Sequence, residues 1–266
     1  MSSTELPKPL GDRALIIGGG SGLGLEIAKV LAPSGTAIAV TVRSTVDPAL
    51  EALPNTTIIR DIDVATDGPE KLVGELASLG WATIDTVLCV AGILLPDELG
   101  DLQPDNFRKM VDVCALGPLR IVDALVTGGV LTAGGKVGLV TSEGGSIGLR
   151  GAKEGGSNYG HHCSKAAENM AGKILSIDLA ARGMAVVCLH PGFVKSRMTE
   201  PFKDKYEELG AVEPHVAAKG VVAAVAELTK ETTGRFIQPL GSEHLGFGVW
   251  GLPDAEKRGP MSELPW

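Results

Sequence analysis

The chain of 266 residues is 44% hydrophobic, with 36 glycines and only 4% aromatic residues, the make-up of an α/β domain with an aliphatic core and many tight turns. A net charge of −8 argues against nucleic acid, since phosphate contacts need a basic surface, and no charge pattern favours an anionic membrane. No apolar run approaches the roughly 20 residues of a membrane span, and the polar start MSSTELPKPLG matches neither a secretory signal nor a transit peptide, so a cytoplasmic protein is expected.

Short apolar runs alternate with helical stretches from residue 14 onward. ALIIG (14–18) runs into glycines and then the helical GLEIAKVLAPSG; AIAVTV (37–42) and TTIIRDIDV (56–64) follow, then a helix around PEKLVGELASLG and the run TVLCVAG (86–92). A long helical region extends from Pro104 to about Gly129, interrupted by Gly117 and Pro118. Next come KVGLVTS (136–142), a helix beginning near Ser157, AVVCLHPG (185–192), the late helix EPHVAAKGVVAAVAEL and a last strand in GRFIQP. Strands apolar on both faces and separated by helices predict a parallel sheet covered on both sides. The expected fold is therefore α/β: one Rossmann-type doubly wound domain over 1–266, with about seven strands and helices on both faces. The tail 241–266, rich in Gly, Pro and aromatic residues, is expected to wrap the body or a partner subunit, with Phe247 and Trp250 as a substrate lid or subunit contact.

The first turn reads IIGGGSGLGLEIA. Gly18, Gly22 and Gly24, with Ser21 and Leu23 between them, follow a strand and open a helix. That placement lets backbone approach a pyrophosphate, and the helix N-terminus supplies free N–H groups and partial positive charge. Cys89, Cys114, Cys163 and Cys188 lie in apolar or helical segments without ligand spacing, so free, mostly buried thiols and no metal are expected. The HHC at 161–163 does not change this, because adjacent helical residues point in different directions.

On these motifs the chain resembles the short-chain dehydrogenase/reductase family from about residue 12 to 240. The family's glycine motif is T-G-x-x-x-G-x-G; here Ile17 stands at the threonine and Leu23 at the usual isoleucine. DIDVAT resembles the D-V-[ST] stretch, which implies that Asp63 and Val64 flank an adenine. HPGFVKSRM resembles P-G-x-V-x-T-x-M, which implies that Pro191, Gly192, Val194 and Ser196 close over a nicotinamide carboxamide. Ala91 and Gly92 end the segment that corresponds to N-N-A-G. The wording of GGSIGLR, CSKAAENM and ELPW is similar to that of the subgroup related to the bacterial C-factor and its fungal homologues. At the end of the second strand, VRS places Arg43 and Ser44 where a carboxylate would select NAD. An arginine there accommodates a 2′-phosphate, so NADP(H) is expected over NAD(H).

The resemblance implies four catalytic stations: asparagine, serine, tyrosine and lysine. Ser142 ends KVGLVTS at the serine station, with Ser146 a weaker substitute, and Lys165 in CSKAAENM stands at the lysine station. Four residues before Lys165, where the tyrosine belongs, this chain has His161, which a helix places on the same face. Tyr159 is six residues before Lys165 and reaches that face only if the helix starts late or irregularly, which Gly160 permits. Imidazole suits proton transfer near neutrality, but the nearby Lys165 disfavours the imidazolium, so His161 is a better base than acid. Cys89 and Val90 replace two residues of N-N-A-G, and Cys114 replaces the helical asparagine; a thiol is a weak partner for a water. His190 is expected to be positional.

These residues predict an NADP(H)-dependent oxidoreductase acting on a small-molecule carbonyl or secondary alcohol, with Ser142, His161 or Tyr159, and Lys165 as its relay. The altered stations keep open a non-redox isomerase, lyase or cyclase of secondary metabolism on the same scaffold, and an NADP-binding pseudoenzyme. The family's habit of pairing its long helices, together with the apolar run IVDALVTGGVL, implies a homodimer or homotetramer.

Overall fold

The computed structural model describes residues 9–252 and 258–266. Eight strands form one sheet in the order β3-β2-β1-β4-β5-β6-β7-β8. They are β1 (Arg13–Ile17), β2 (Ala37–Thr41), β3 (Thr56–Ile59), β4 (Ile84–Cys89), β5 (Leu131–Val140), β6 (Ala185–Leu189), β7 (Arg235–Gln238) and β8 (Ser262–Glu263). The first seven pair in parallel and β8 runs antiparallel to β7. The count is thus eight rather than about seven; the extra strand lies in the tail, where two residues pair with Ile237 and Gln238.

Helices cover both faces. Helix α1 (Gly22–Leu31) packs against α7 (Pro214–Ala226) on one side, over a core that includes Ile16, Ile27, Val40, Val187 and Val221. On the other side lie α3 (Gly68–Ser78), α4 (Pro104–Val111), α5 (Gly117–Thr127) and α6 (Tyr159–Ala180), preceded in chain order by the short α2 (Pro48–Glu51). Their core includes Leu72, Val87, Ile121, Val137, Leu139 and Phe236. Central strands buried on both faces read as continuous apolar runs for this reason. Because β1 sits between β2 and β4, the chain leaves its carboxyl end in opposite directions there, and the crevice at such a reversal is where open α/β sheets bind ligands.

Three boundaries depart from the sequence reading. The strand expected over 56–64 stops at Ile59, since Asp61 takes a left-handed φ of 58°; the Ile62 amide still donates to the Val42 carbonyl. The helical region from Pro104 does not break at Gly117 and Pro118. It widens into a π-turn over Asp112–Leu116, closed by the Gly117 amide on the Asp112 carbonyl. A proline in a regular helix would clash with the carbonyl four residues back, and the wider turn relieves this. Helix α6 begins at Tyr159 rather than near Ser157, because Ser157 and Asn158 take φ of 79° and 55°.

Candidate active site

The glycine turn links β1 to α1. Gly18 has φ 86°, and a Cβ there would lie 2.7 Å from Ala91 Cα; Ala91 and Val90 both donate to the Ile17 carbonyl. A Cβ at Gly24 would collide with the Gly18 carbonyl oxygen, so only glycine lets α1 start this close to the strand. Gly22 differs. With φ 56°, a Cβ there would meet no protein atom within 4 Å. Ser21 is the N-cap of α1 but its hydroxyl makes no capping bond, and both Ser21 and Gly22 are exposed. The turn is therefore tight against the protein and open outward, with helix-end N–H groups unanswered by a side chain, and a pyrophosphate fits that cradle.

The other expected cofactor residues gather along the same edge. Arg43 and Ser44 are exposed just past β2, and Arg43 makes no hydrogen bond or ion pair among the described residues. The Val42–Ile62 bond brings Asp63 and Val64 alongside. Asp63 uses its carboxylate to accept the Ala65 amide, while Val64 is buried against Gly117. Across the crevice, Pro191, Gly192 and Val194 are buried after β6. Val194 packs in a small cluster that Leu23 also touches, so these two come together. Ser196 takes part in a local network through Thr199, whose hydroxyl contacts Tyr206 at 2.9 Å.

The catalytic candidates converge unevenly. Ser142 follows β5, and its hydroxyl accepts the Gly144 amide at 3.0 Å. A Cβ at Gly144 would lie 2.6 Å from His162 Cδ2 and 3.2 Å from Ser142 Oγ, so the His162 ring and that hydroxyl close on one spot. His190 holds this turn by accepting the Glu143 amide on Nδ1 at 3.1 Å, as a positional residue would. Lys165 is buried, and its ammonium donates to the Val140 carbonyl at 2.9 Å and to Glu168 at 2.7 Å. A Cβ at Gly92 would be 3.7 Å from Lys165 Nζ and 3.8 Å from Cys114 Sγ, which places the lysine station and the residue at the asparagine station around one point. Cys114 is occupied locally: its sulfur accepts the Ile93 amide at 3.3 Å.

His161 lies one turn before Lys165. Burial, the Lys165 ammonium and His162 together push its imidazole down to about 3, so it is neutral at physiological pH. Tyr159 opens α6, is 36% exposed, and directs its hydroxyl toward Gly156. The late helix start thus leaves the tyrosine at the rim. Gly160, whose Cβ would collide with Met110, lets α6 seat against α4, and its amide donates to Asp97. Ser146, the weaker serine candidate, is spent on structure: its hydroxyl donates to the Pro265 carbonyl at 2.6 Å.

Several residues here were not singled out from sequence. Glu143 is buried, bonded to Arg150, which also pairs with Glu154; burial, outweighing Arg150, raises the Glu143 carboxyl to about 7. Glu168 is buried against Lys165, and burial likewise raises it to about 7. Burial works against the Lys165 ammonium, yet the Glu168 charge overcomes it and the lysine pKa is raised. The i,i+3 spacing of Lys165 and Glu168 was the one readable signal for that pair. His190 Nε2, Thr141 Oγ1 and both amide atoms of Asn169 are buried without a hydrogen-bond partner among the described residues.

Aromatic rings cluster where the tail meets the segment after β6. Phe193 meets Tyr206 and Phe247 at 5.6 and 5.7 Å, and Phe247 meets Phe202 and Trp250 at 5.6 and 5.7 Å. This is half of the chain's Phe, Tyr and Trp residues. The Phe193 amide donates to the His244 carbonyl, and Gly248 lies against the Glu143 carboxylate. The segment carrying Phe247 and Trp250 therefore packs on this protomer's own body, beside Phe193 and Glu143. The four cysteines are free, with Cys163 exposed and the others buried, and no group of potential metal ligands occurs among the described residues.

Known proteins resemble this chain in sequence and in fold. A 1-hydroxy-2-glutathionyl-2-methyl-3-butene dehydrogenase of a Rhodococcus species is 34% identical over 223 residues, covering 84% of this chain and 94% of its own length. The C-signal protein of Myxococcus xanthus is 32% identical, over 60% of this chain and 91% of its own. A carbonyl reductase from Pseudomonas aeruginosa shares the fold, with a TM-score of 0.73 at 23% identity over 96% of this chain and 99% of its own. The family model described as short chain dehydrogenase matches residues 12–207, and this chain belongs to the short-chain dehydrogenase family.

Proposed function

We propose that the protein is an NADP(H)-dependent oxidoreductase interconverting an alcohol and a carbonyl through an altered proton relay. The observation that carries this reading is the meeting of Lys165, Gly92 and Cys114 at one point, with His161 one turn away on the same helix. The open glycine turn and the unpaired Arg43 support the cofactor choice. Asp63, Val64, Ala91, Gly92, Pro191, Val194 and Ser196 would complete its cradle.

A bound nicotinamide cofactor supplies or accepts a hydride. Lys165 holds ribose hydroxyls through the N–H not engaged by Glu168 or Val140. Ser142 donates to the reacting oxygen, and its hydroxyl is aimed by the Gly144 amide. His161, neutral at pH 7 with a pKa of about 3, has no imidazolium proton to give in carbonyl reduction and is a weak base for the alcohol proton, since a general base works best with a pKa near the working pH; of the two directions this favours oxidation. The Rhodococcus relative is named for the dehydrogenation of a hydroxy compound, in keeping with that direction. The aromatic cluster beside Glu143, through Gly248, supports an apolar substrate.

The same buried, neutral imidazole also favours a second reading, in which His161 abstracts a proton next to a carbonyl in an isomerase, lyase or cyclase. Calorimetry with NADP(H) and NAD(H), then nicotinamide absorbance with panels of alcohols and ketones, separates them. Tight NADP(H) binding with turnover supports the first; binding with product formed but no net nicotinamide change supports the second; no binding of either dinucleotide overturns both.

Three wider expectations join this proposal. Met170, Ile174 and Ile177 lie exposed along α6, which supports a homodimer or homotetramer built on that helix. No helix among the described residues is long and apolar enough to cross a membrane, which supports a cytoplasmic location. The shared wording of GGSIGLR, CSKAAENM and ELPW supports kinship with the C-factor branch.

A further inference from the structure

We propose that Glu168 is a positioning residue for Lys165, supplying the countercharge for an ammonium that this chain buries beside an imidazole. The inference rests on the reading of Lys165 as a cofactor-holding residue and adds to it a side chain outside the expected stations.

Lys165 and Glu168 are 5% and 1% exposed, and Nζ lies 2.7 Å from the carboxylate. A lysine this deep stays charged only if an anion or strong acceptors replace water. The Val140 carbonyl is one such acceptor. A phenol at position 161 could share negative charge with the lysine; an imidazole there is neutral or cationic and cannot. The other titratable groups around the pair are Cys89 on β4, Cys114 in the π-turn and Cys188 on β6. Burial pushes the Cys89 and Cys188 thiols far up, so neither offers a thiolate, and Lys173, about two turns beyond Lys165 on α6, is a second cation near Cys188. Glu168 is therefore the group placed to balance Lys165. An ammonium has three N–H bonds. Glu168 and Val140 take two, leaving one for a ligand on the side of Gly92 and Cys114. The carboxylate thus sets both the charge of the lysine and the direction of its free donor.

The test compares wild type, Glu168→Gln and Glu168→Asp, working above the Glu168 midpoint of about 7. In protein labelled with ¹⁵N-lysine, the Lys165 Nζ resonance of wild type should stay cationic throughout the alkaline range. In Glu168→Gln the buried amine should lose its proton up to ~3–5 pH units lower than an ordinary lysine, and Glu168→Asp should restore most of the charge. NADPH affinity, read by quenching of protein fluorescence, should fall roughly tenfold per pH unit above the Lys165 amine's own midpoint in Glu168→Gln and stay level in wild type. A Lys165 titration in Glu168→Gln indistinguishable from wild type overturns the proposal. Wild type that binds no dinucleotide overturns the cofactor reading instead, and the lysine resonance still judges Glu168. Should Glu168→Gln fail to fold, the double variant Lys165→Met with Glu168→Leu decides: recovery of folding supports mutual charge balance, and equal failure overturns it.

Discussion

The histidine at position 161 changes what the site can do with a proton. A phenol can serve as an acid at neutral pH; an imidazole held down to about 3 cannot. Alcohol oxidation that uses His161 as base should thus show no loss attributable to that residue until pH approaches 3–4, whereas carbonyl reduction should stay poor throughout. His161→Tyr is expected to raise ketone reduction by about 10²-fold or more, the usual scale of a positioned general acid, measured as NADPH consumption over a ketone panel. No gain would mean that proton supply is not what limits the site. Arg43 decides a second question. Its guanidinium is exposed past β2 without a partner among the described residues, so Arg43→Ala should weaken NADPH by about 1.5–3 kcal/mol, the worth of charge-assisted hydrogen bonds, and leave NADH unchanged in calorimetry. Equal losses for both dinucleotides would remove the argument for the 2′-phosphate.

Secondary elements place these groups by packing constraints that few residues carry. Gly160 lets α6 seat on α4, and the two left-handed residues before it delay the helix start, which is why Tyr159 stays at the rim. The π-turn before α5 takes up Pro118 and presents Cys114 to the loop after β4. The tail is a further brace. Trp266 packs on Phe236 at 5.6 Å, Leu264 is buried, and the Ser146 hydroxyl anchors the Pro265 carbonyl. Since Ser146 lies four residues beyond Ser142, loosening the tail should reach the Ser142 turn. Leu264→Ala is expected to cost about 2–5 kcal/mol in urea unfolding and to lower activity more than cofactor binding. A loss of stability with activity per folded molecule unchanged would show that the tail does not brace the turn.

Acid and base limbs of stability come from the buried titratable groups together. His161, His162 and His190 are pushed down to about 3, 4 and 3 by burial first, from an ordinary value of 6.5. The unfolded chain therefore takes up protons that the folded protein refuses, and stability falls as pH drops below 6.5 toward 3. Glu143 and Glu168 shift the other way, from 4.5 up to about 7. Their stability is full below 4.5 and is lost as pH rises through 7. The two sets oppose each other between 4.5 and 6.5. Below 4.5 only the histidines act. Thermal unfolding should therefore show a shallow plateau near pH 5–6 and a steep fall below about 4.5, and replacing His190 by Asn should soften that fall. Quaternary structure offers another check. Ile174→Glu with Ile177→Glu should convert an oligomer to a monomer by light scattering while shifting stability by less than about 0.5 kcal/mol each, as exposed positions do; a wild-type monomer would remove the proposal.

Much of this protein is determined by local pattern. Apolar runs buried on both faces, glycines demanded by a positive φ or a close approach, and helical spacing suffice for the parallel sheet, the glycine turn and the alignment of His161 with Lys165. These depend on neighbours within a few residues, so the chain order alone reveals them. Other features were decided only when distant segments met. The eighth strand exists because the tail reaches β7; Ser146 loses its candidacy because Pro265 arrives beside it; Tyr159 is stranded because Asp97, some 60 residues earlier, holds the start of α6. The charge states of Glu143, Glu168 and the histidines belong to the same class. Burial sets them, and burial is a property of the assembled layers that no short stretch of chain possesses.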